Sequence, residues 1–254
     1  MRRSVRGIVF RQTKTMGGRR MVLLFTRELG KISAGAWPPK KGKNGNSLAL
    51  SPFALGTYEL QETRSTYSVV SAETEASFYA LGEDPGRYAA ASYVLELTDR
   101  LTTEDLPAPA LFDLLEELLG MLLRRQDRFW TLLLAYQVKA LESLGVAPSF
   151  GACASCGKTE DLTGFSVPAG GMICADCRRK QQVVMPGRLI YDADFGMIDT
   201  IKFFSTHPLS SLEKIALQPE PERRIRKILK EYIGYHLDIG TLRSEGMLDS
   251  LSIT

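Results

Sequence analysis

Apolar residues change their spacing twice along this chain, and the changes mark its domains. Up to about residue 75 they come in short β-rich runs: Val5-Arg6-Gly7-Ile8-Val9-Phe10, Met21-Val22-Leu23-Leu24-Phe25-Thr26 and, after a turn at Glu28 to Gly30, Gly30 to Ala36. Phe53 to Thr63 and Thr66 to Ala72 alternate as the two arms of a hairpin. Five short strands joined by polar, glycine-rich connections predict a small closed barrel of the OB kind, so residues 1–76 are expected to form one domain.

Beyond Thr74 the period becomes helical. Phe78, Tyr79 and Leu81 are followed, after a break at Asp84-Pro85-Gly86, by Tyr88, Ala91, Leu95 and Thr98. Leu111, Leu114, Leu115, Leu118, Leu119 and Leu122 form a wide stripe entered through Pro107 and Pro109. Phe129, Leu132, Leu133, Tyr136, Ala140, Leu141 and Leu144 form another, ended by Gly145 and Pro148. Near the C-terminus the acidic, proline-bearing entry Pro219-Glu220-Pro221-Glu222 leads into Ile225, Ile228, Leu229, Tyr232, Ile233 and His236. Such stripes are core faces of packed helices rather than the lining of a cofactor pocket. The chain is thus expected to be α+β, an OB-fold barrel followed by a helical domain over residues 77–254, with an insertion at about 150–182.

That insertion holds all four cysteines, as Cys153-Ala154-Ser155-Cys156 and, seventeen residues on, Cys174-Ala175-Asp176-Cys177. Two pairs at a gap of roughly 15 to 20 residues can close a tetrahedral sulfur shell around one structural Zn²⁺, leaving no position for substrate. Paired disulfides would suit a secreted chain, but Met1-Arg2-Arg3-Ser4-Val5-Arg6 lacks the apolar run of a secretion leader. A redox Cys-x-x-Cys would open a helix beside a thioredoxin-like sheet. The flanks here are glycine-rich instead: Gly151, Gly157, Gly164, Gly170 and Gly171 are expected to supply positive φ angles, with Phe165-Ser166-Val167 and Met172-Ile173 as two short strands. A zinc ribbon is the expectation, with one structural ion per chain.

A chain of 254 residues, 44% hydrophobic, can bury two cores, and its net charge of +3 says little. The distribution of charge says more. Met1 to Lys43 carries twelve basic residues against one acid, a local net of +11, whereas Asn44 to Gly120 carries thirteen acids against three bases, a net of −10. A basic barrel face of Arg6, Arg11, Lys14, Arg19, Arg20, Arg27 and Lys31 points to an anionic partner, although a merely solvated face is the alternative. Paired prolines and glycines make Trp37 to Asn46 a loop. Its Lys40, Lys41 and Lys43 could wrap a phosphate backbone, with Trp37 either stacking on a base or plugging the barrel. Arg178, Arg179 and Lys180, with Arg223, Arg224 and Lys227 on the polar face of the last stripe, could extend that surface or be solvated.

No apolar run approaches the roughly 18 to 20 residues of a membrane span, so neither a membrane nor export is expected and residence is expected to be cytoplasmic. A catalytic constellation is also missing from the pattern. His207 and His236 belong to no metal-binding repeat, there is no phosphate loop, and the acids show no two-metal clustering, so no enzymatic activity is expected.

Taken in order, several segments are similar to one family. They are Gly7-Ile8-Val9, Leu24 to Ile32 (Leu-Phe-Thr-Arg-Glu-Leu-Gly-Lys-Ile), Leu50 to Leu60 with Ser51-Pro52-Phe53, and Leu144-Gly145-Val146-Ala147-Pro148. The Cys153-x-x-Cys156-Gly157 knuckle with its partner pair, Tyr235-His236-Leu237 and Leu242-Arg243-Ser244 complete the set. Together they resemble the bacterial RecO family of DNA repair proteins over nearly the whole chain. The resemblance implies an OB-fold, a helical domain carrying a zinc ribbon, and recombination mediation without nucleotide hydrolysis. It implies binding of single- and double-stranded DNA, strand annealing, and action with RecR to help RecA replace single-strand-binding protein. DNA contacts then fall on the basic barrel positions, including Arg19, Arg20, Arg27, Lys31 and the lysines after Trp37. The family has a denser basic run directly after the Gly-Lys-Ile strand, where Ser33 to Trp37 here is neutral. A protein adaptor whose basic barrel binds RNA or an acidic partner remains the rival expectation, and a nuclease a more distant one.

Overall fold

In the computed structural model, residues 1–15, 18–36, 48–64, 66–184, 189–192 and 195–251 are described. The chain forms two compact units, Met1–Phe129 with Leu242–Thr254, and Trp130–Thr241.

The first unit begins with β1 (Arg2–Lys14), β2 (Arg20–Thr26), β3 (Gly30–Ala36), β4 (Ala54–Thr63) and β5 (Thr66–Ser77). They close into a barrel in the order β1-β2-β3-β5-β4, antiparallel throughout except for the parallel β3–β5 pair, which is OB topology. β1 is longer than its apolar run because its polar ends still pair through the backbone. Arg2 to Ile8 pair with β4, and Gly7 to Lys14 pair with β2 across a register shift between Val9 and Arg11. Val5, Val9, Val22, Leu24, Ile32, Tyr58 and Leu60 fill the interior. Burying each such side chain stabilises by about 1.5–3 kcal/mol. Tyr58 is fully buried, and its hydroxyl donates to the Ala49 carbonyl at 2.5 Å, which removes the cost of an orphaned phenol.

Two helices follow in this unit, α1 (Pro85–Leu101) and α2 (Pro109–Leu122). The break at Asp84-Pro85-Gly86 is the start of α1. Asp84 accepts from the Arg87 backbone N–H at 2.8 Å, and Pro85 takes the first turn, where no donor is missed. The loop after α1 is stitched to the barrel by the Asp105 N–H, which donates to the Lys31 carbonyl at 3.0 Å.

The second unit contains α3 (Phe129–Ser143, from Trp130 onward), β6 (Leu162–Ser166), β7 (Gly171–Cys174), α4 (Ala175–Val184), β8 (Ile190–Asp192), α5 (Phe195–Thr206) and α6 (Pro219–Leu237). Every residue from Trp130 to Val138 is buried. Polar contacts pin this apolar helix within the unit: Thr131 Oγ1 accepts from the Leu217 N–H at 2.9 Å, and the Arg226 guanidinium lies 3.7 Å over the Trp130 ring. β6, β7 and β8 form a three-stranded sheet in the order β7-β6-β8. Of the five glycines expected at positive φ, Gly157, Gly170 and Gly171 take it, and Gly151 and Gly164 do not. Gly164 lies within β6, where the Arg178 side chain packs against it.

The apolar stripes gave α1, α2, α3 and α6 but not the last helix of the chain, α7 (Arg243–Leu251), which belongs to the first unit. Its N-terminus is capped from far away. The Glu96 carboxylate of α1 accepts from the Arg243 N–H at 3.0 Å, the Ser244 N–H at 2.9 Å and the Ser244 hydroxyl at 2.6 Å. Two of the four orphan donors of the helix are satisfied, and a negative charge sits at the positive end of its dipole.

Burial pushes the Glu96 carboxyl upward, but the Ser244 hydroxyl and the two N–H donors outweigh it and hold the group below the ordinary carboxylate range. A depressed folded value stabilises the fold above the unfolded value, and this contribution is lost as pH falls through the folded one. Glu96→Gln is therefore expected to cost about 1 kcal/mol at neutral pH, the usual scale of a helix cap. The gap between the two proteins should close as the melts are repeated at acid pH. A gap independent of pH would show that the charge of Glu96 plays no part.

Candidate metal centre and nucleic-acid interface

The four sulfurs are gathered by backbone hydrogen bonds. Gly157, at φ 78°, donates to the Cys153 carbonyl at 2.8 Å, and the Cys153 N–H donates to the Lys158 carbonyl at 2.7 Å, which folds the first pair into a knuckle. The Ala154 N–H then donates to the Met172 carbonyl at 2.7 Å and fastens that knuckle to β7. A side chain at Gly171 would lie 2.3 Å from the Ser149 carbonyl oxygen, so only glycine permits the close approach. Cys174 ends β7 and Cys177 sits in the first turn of α4, so the second pair does open a helix. Gln181 of α4 links the parts. It donates to Ser155 Oγ at 3.0 Å and accepts from Ser166 Oγ at 2.8 Å.

All four Sγ atoms lie within 4.8 Å of one another, and those of Cys156 and Cys174 are 3.7 Å apart. A tetrahedron with metal–sulfur arms of about 2.3 Å has an edge of about 3.8 Å, so the sulfurs fit a tetrahedral metal ion. A disulfide needs about 2.05 Å, and all four cysteines are free thiols. Burial would raise the Cys153 thiol, but backbone N–H groups of Cys174, Ser155 and Cys156, with the Cys156 side chain, bring it down to about 6. Cys177 moves the other way, to about 12, because Cys156 is a hydrogen-bond partner favouring its protonated form, with burial and the other two sulfurs adding to the effect. Without a cation the cluster can ionise only in part. A bound divalent ion would be held by Cys153, Cys156, Cys174 and Cys177 as thiolates, and would supply cross-linking rather than catalysis.

On the barrel, several expected contacts are already in use within the first unit. Arg6 binds Glu116 through both terminal nitrogens, at 2.6 and 2.8 Å, and Glu75 through Nε at 2.7 Å. These bonds, Glu116 first, raise the guanidinium far above its ordinary value. Arg27 grips Asp113 at 2.8 and 3.0 Å, and its hydrogen bonds pull that carboxyl below the ordinary range. Lys31, expected on an open surface, is 9% exposed and donates to Asp99 Oδ1 at 2.9 Å and to the Asp99 carbonyl at 2.6 Å. The acidic middle of the sequence thus supplies partners to the basic start. Those acids lie on β5, α1 and α2, 68 to 110 residues away, so local spacing could not reveal the pairing.

Arg11, Lys14, Arg19 and Arg20 differ in exposure. Arg11 is largely exposed, 3.9 Å from Asp99, and Lys14 is exposed with no ion pair among the described residues. Lys14 faces Arg20 in the β1–β2 register, and Arg20 faces Ala36 at the end of β3. Arg19 beside them is half-buried over Gly35 and donates to Ser68 at 2.8 Å. Trp37, Lys40, Lys41 and Lys43 lie outside the described residues, in the segment that leaves β3 at this same end of the barrel.

In the second unit, Arg178 donates to the Thr163 carbonyl at 2.9 Å and pairs with Asp192, tying β6 to β8, while Arg179 pairs with Asp176 within α4. Lys180 is exposed. Arg223 donates to the Pro219 carbonyl at 3.1 Å, and Arg224 lies 3.7 Å from Glu220. Arg224 and Lys227 border a cleft of about 300 Å³ with Tyr191 and Asp192, and Lys227 Nζ is 5.4 Å from the Tyr191 ring centre. Among the described residues, no helix is long and apolar enough to cross a membrane.

Comparison with known proteins covers nearly the full length. The family model "Recombination protein O N terminal" matches residues 1–78, and "Recombination protein O C terminal" matches residues 82–245. Among curated proteins named DNA repair protein RecO, that of Myxococcus xanthus is 33% identical over 222 residues, 86% of this chain and 85% of the relative. That of Bacillus pumilus is 31% identical, over 89% and 86%, and that of Alkaliphilus metalliredigens 29% identical, over 91% and 92%.

Replacing Cys153 and Cys174 together by serine removes two buried ligands from the sulfur shell. The variant is expected to lose its bound thiophilic metal and to unfold the ribbon first. Metal quantification beside the melting curve checks this; undiminished metal content would show that the four sulfurs do not form the site.

Proposed function

The chain belongs to the recombination protein O family, and from that premise we propose that it is a DNA-binding recombination mediator in DNA repair. On this reading it binds single- and double-stranded DNA, anneals complementary strands, and acts with RecR to let RecA replace single-strand-binding protein. It works in the cytoplasm, on the nucleoid, and breaks no covalent bond. Its metal is a structural Zn²⁺, one per chain, for which a shell of four sulfurs is the usual host.

The observation that carries the DNA reading is the sorting of cations on the barrel. Arg6, Arg27 and Lys31 are held by carboxylates, whereas Lys14, which is exposed, and Arg20 are neighbours at the end of the β1–β2 ladder. The lysine-bearing segment 37–43 follows β3 directly in the sequence. Two complementary strands repel through their phosphates. A patch of uncommitted cations neutralises both, releases their counterions and raises their local concentration without reading sequence.

If Lys14, Arg20, Lys40, Lys41 and Lys43 each neutralise one phosphate, log affinity for a single strand should fall by about 3.5 per tenfold rise in salt. Reversing the charge of all five should flatten that slope and weaken binding to all sequences alike. Annealing of strands coated with single-strand-binding protein should fail with it. A salt-independent affinity would overturn the reading, and cleavage of the DNA on adding Mg²⁺ or Mn²⁺ would point to a nuclease instead.

A further inference from the structure

A groove of about 840 Å³ in the first unit lies between β1 and α1 and reaches the start of α7. Its aromatic members are Phe10, Phe53 and Tyr88, and its guanidinium groups are Arg11, Arg100 and Arg243. Phe10 and Phe53 are nearly buried, but Tyr88 is 42% exposed. A tyrosine ring this open, standing over a wide groove, offers a flat face to a ligand.

The backbone holds that ring site firmly. Phe53 sits at φ 66°, a left-handed conformation rare for an aromatic residue. It is pinned there by its N–H, which donates to the Val9 carbonyl at 3.1 Å, and by its carbonyl, which accepts from the Phe78 N–H at 3.3 Å. Its ring meets Tyr88 edge-on, with centres 5.9 Å apart.

The charge balance favours an anion. Two carboxylates line the groove, but Glu96 is capping α7 and Asp99 is bound by Lys31. Arg100 and Arg243 are exposed and form no ion pair among the described residues, and Arg11 reaches Asp99 only at 3.9 Å. Arg11 also belongs to the strand that carries Lys14.

We propose that this groove is a subsite for unpaired nucleotides, in which one base stacks on Tyr88 while Arg11, Arg100 and Arg243 hold the flanking phosphates. This rests on the DNA-binding function above and adds a distinction to it. The faces of paired bases are covered by their neighbours, so the outer barrel cations serve both duplex and single strand, whereas Tyr88 serves the single strand alone.

The test is a titration of the full zinc-loaded chain with fluorescent oligo(dT) and, separately, with a blunt hairpin duplex. Tyr88→Ala is expected to weaken oligo(dT) binding by about fivefold or more, the lower end of the stacking range, with duplex binding unchanged. Tyr88→Phe should restore the wild-type affinity, and Arg100→Glu with Arg243→Glu should mimic the loss. Equal thermal melts rule out unfolding, and if Tyr88→Ala melts early the arginine pair decides the outcome. Oligo(dT) binding unchanged in these variants, with the wild type binding normally, would overturn the subsite and leave the family function standing. Weaker binding of an acidic peptide alone would make the groove a protein-docking site and overturn the subsite too. A wild-type chain that binds neither DNA would overturn both.

Discussion

The first unit depends on charge at the start of its barrel being met by charge on β5 and on its own helices. Arg6 with Glu75 and Glu116, Arg27 with Asp113, and Lys31 with Asp99 link β1, β2 and β3 to β5, α1 and α2. The exposed pair Arg27–Asp113 contributes little to stability. The larger effect of these pairs is selective. By occupying three cations they define which part of a uniformly basic sequence remains open to an external anion. The basic start of the chain thus supplies an internal seam as well as the patch proposed for DNA.

The ribbon has the opposite problem, too little core rather than too much charge. Its buried cluster is Cys153, Ile173 and Cys174, with Leu162, Ala169, Cys177 and Ile190 only partly covered. So few apolar side chains cannot offset the entropy of ordering about thirty residues. Backbone bonds place the sulfurs, but they leave four thiols that cannot all ionise side by side. A divalent ion would remove that repulsion and supply the missing cohesion in one step, an architectural use of the cysteines.

Much of this was legible in the sequence. Short β-rich or apolar runs marked the first three barrel strands, with β3 matching from Gly30 to Ala36, alternation marked the β4–β5 hairpin, and apolar stripes at helical spacing marked α1, α2, α3 and α6. The cysteine spacing led directly to the sulfur cluster. What escaped had weak local signals. α4 is almost wholly polar, β8 has three residues, and α7 is short and takes its cap from Glu96, 147 residues away. α5 was available: Met197, Ile198, Ile201 and Phe204 are buried at helical spacing. Among site residues, the partners of Arg6, Arg27 and Lys31 could not be read. Neither could Tyr88, because helical period predicts it as core and only the folded chain shows it 42% exposed beside the groove.

The proposed division between patch and groove fits the physical demands of annealing. A surface that only attracts phosphates holds two strands equally well in and out of register, since Coulomb attraction is blind to pairing. A surface that only stacks bases would hold single strands too tightly to release them. With both, a strand enters through the barrel cations, gains about 1–3 kcal/mol when a base reaches Tyr88, and forfeits that gain once the base pairs. Each base pair step of duplex contributes about 1.4 kcal/mol of stacking, so a few steps outweigh the lost contact. Binding of this strength favours the unpaired strand at capture and does not oppose its conversion to duplex.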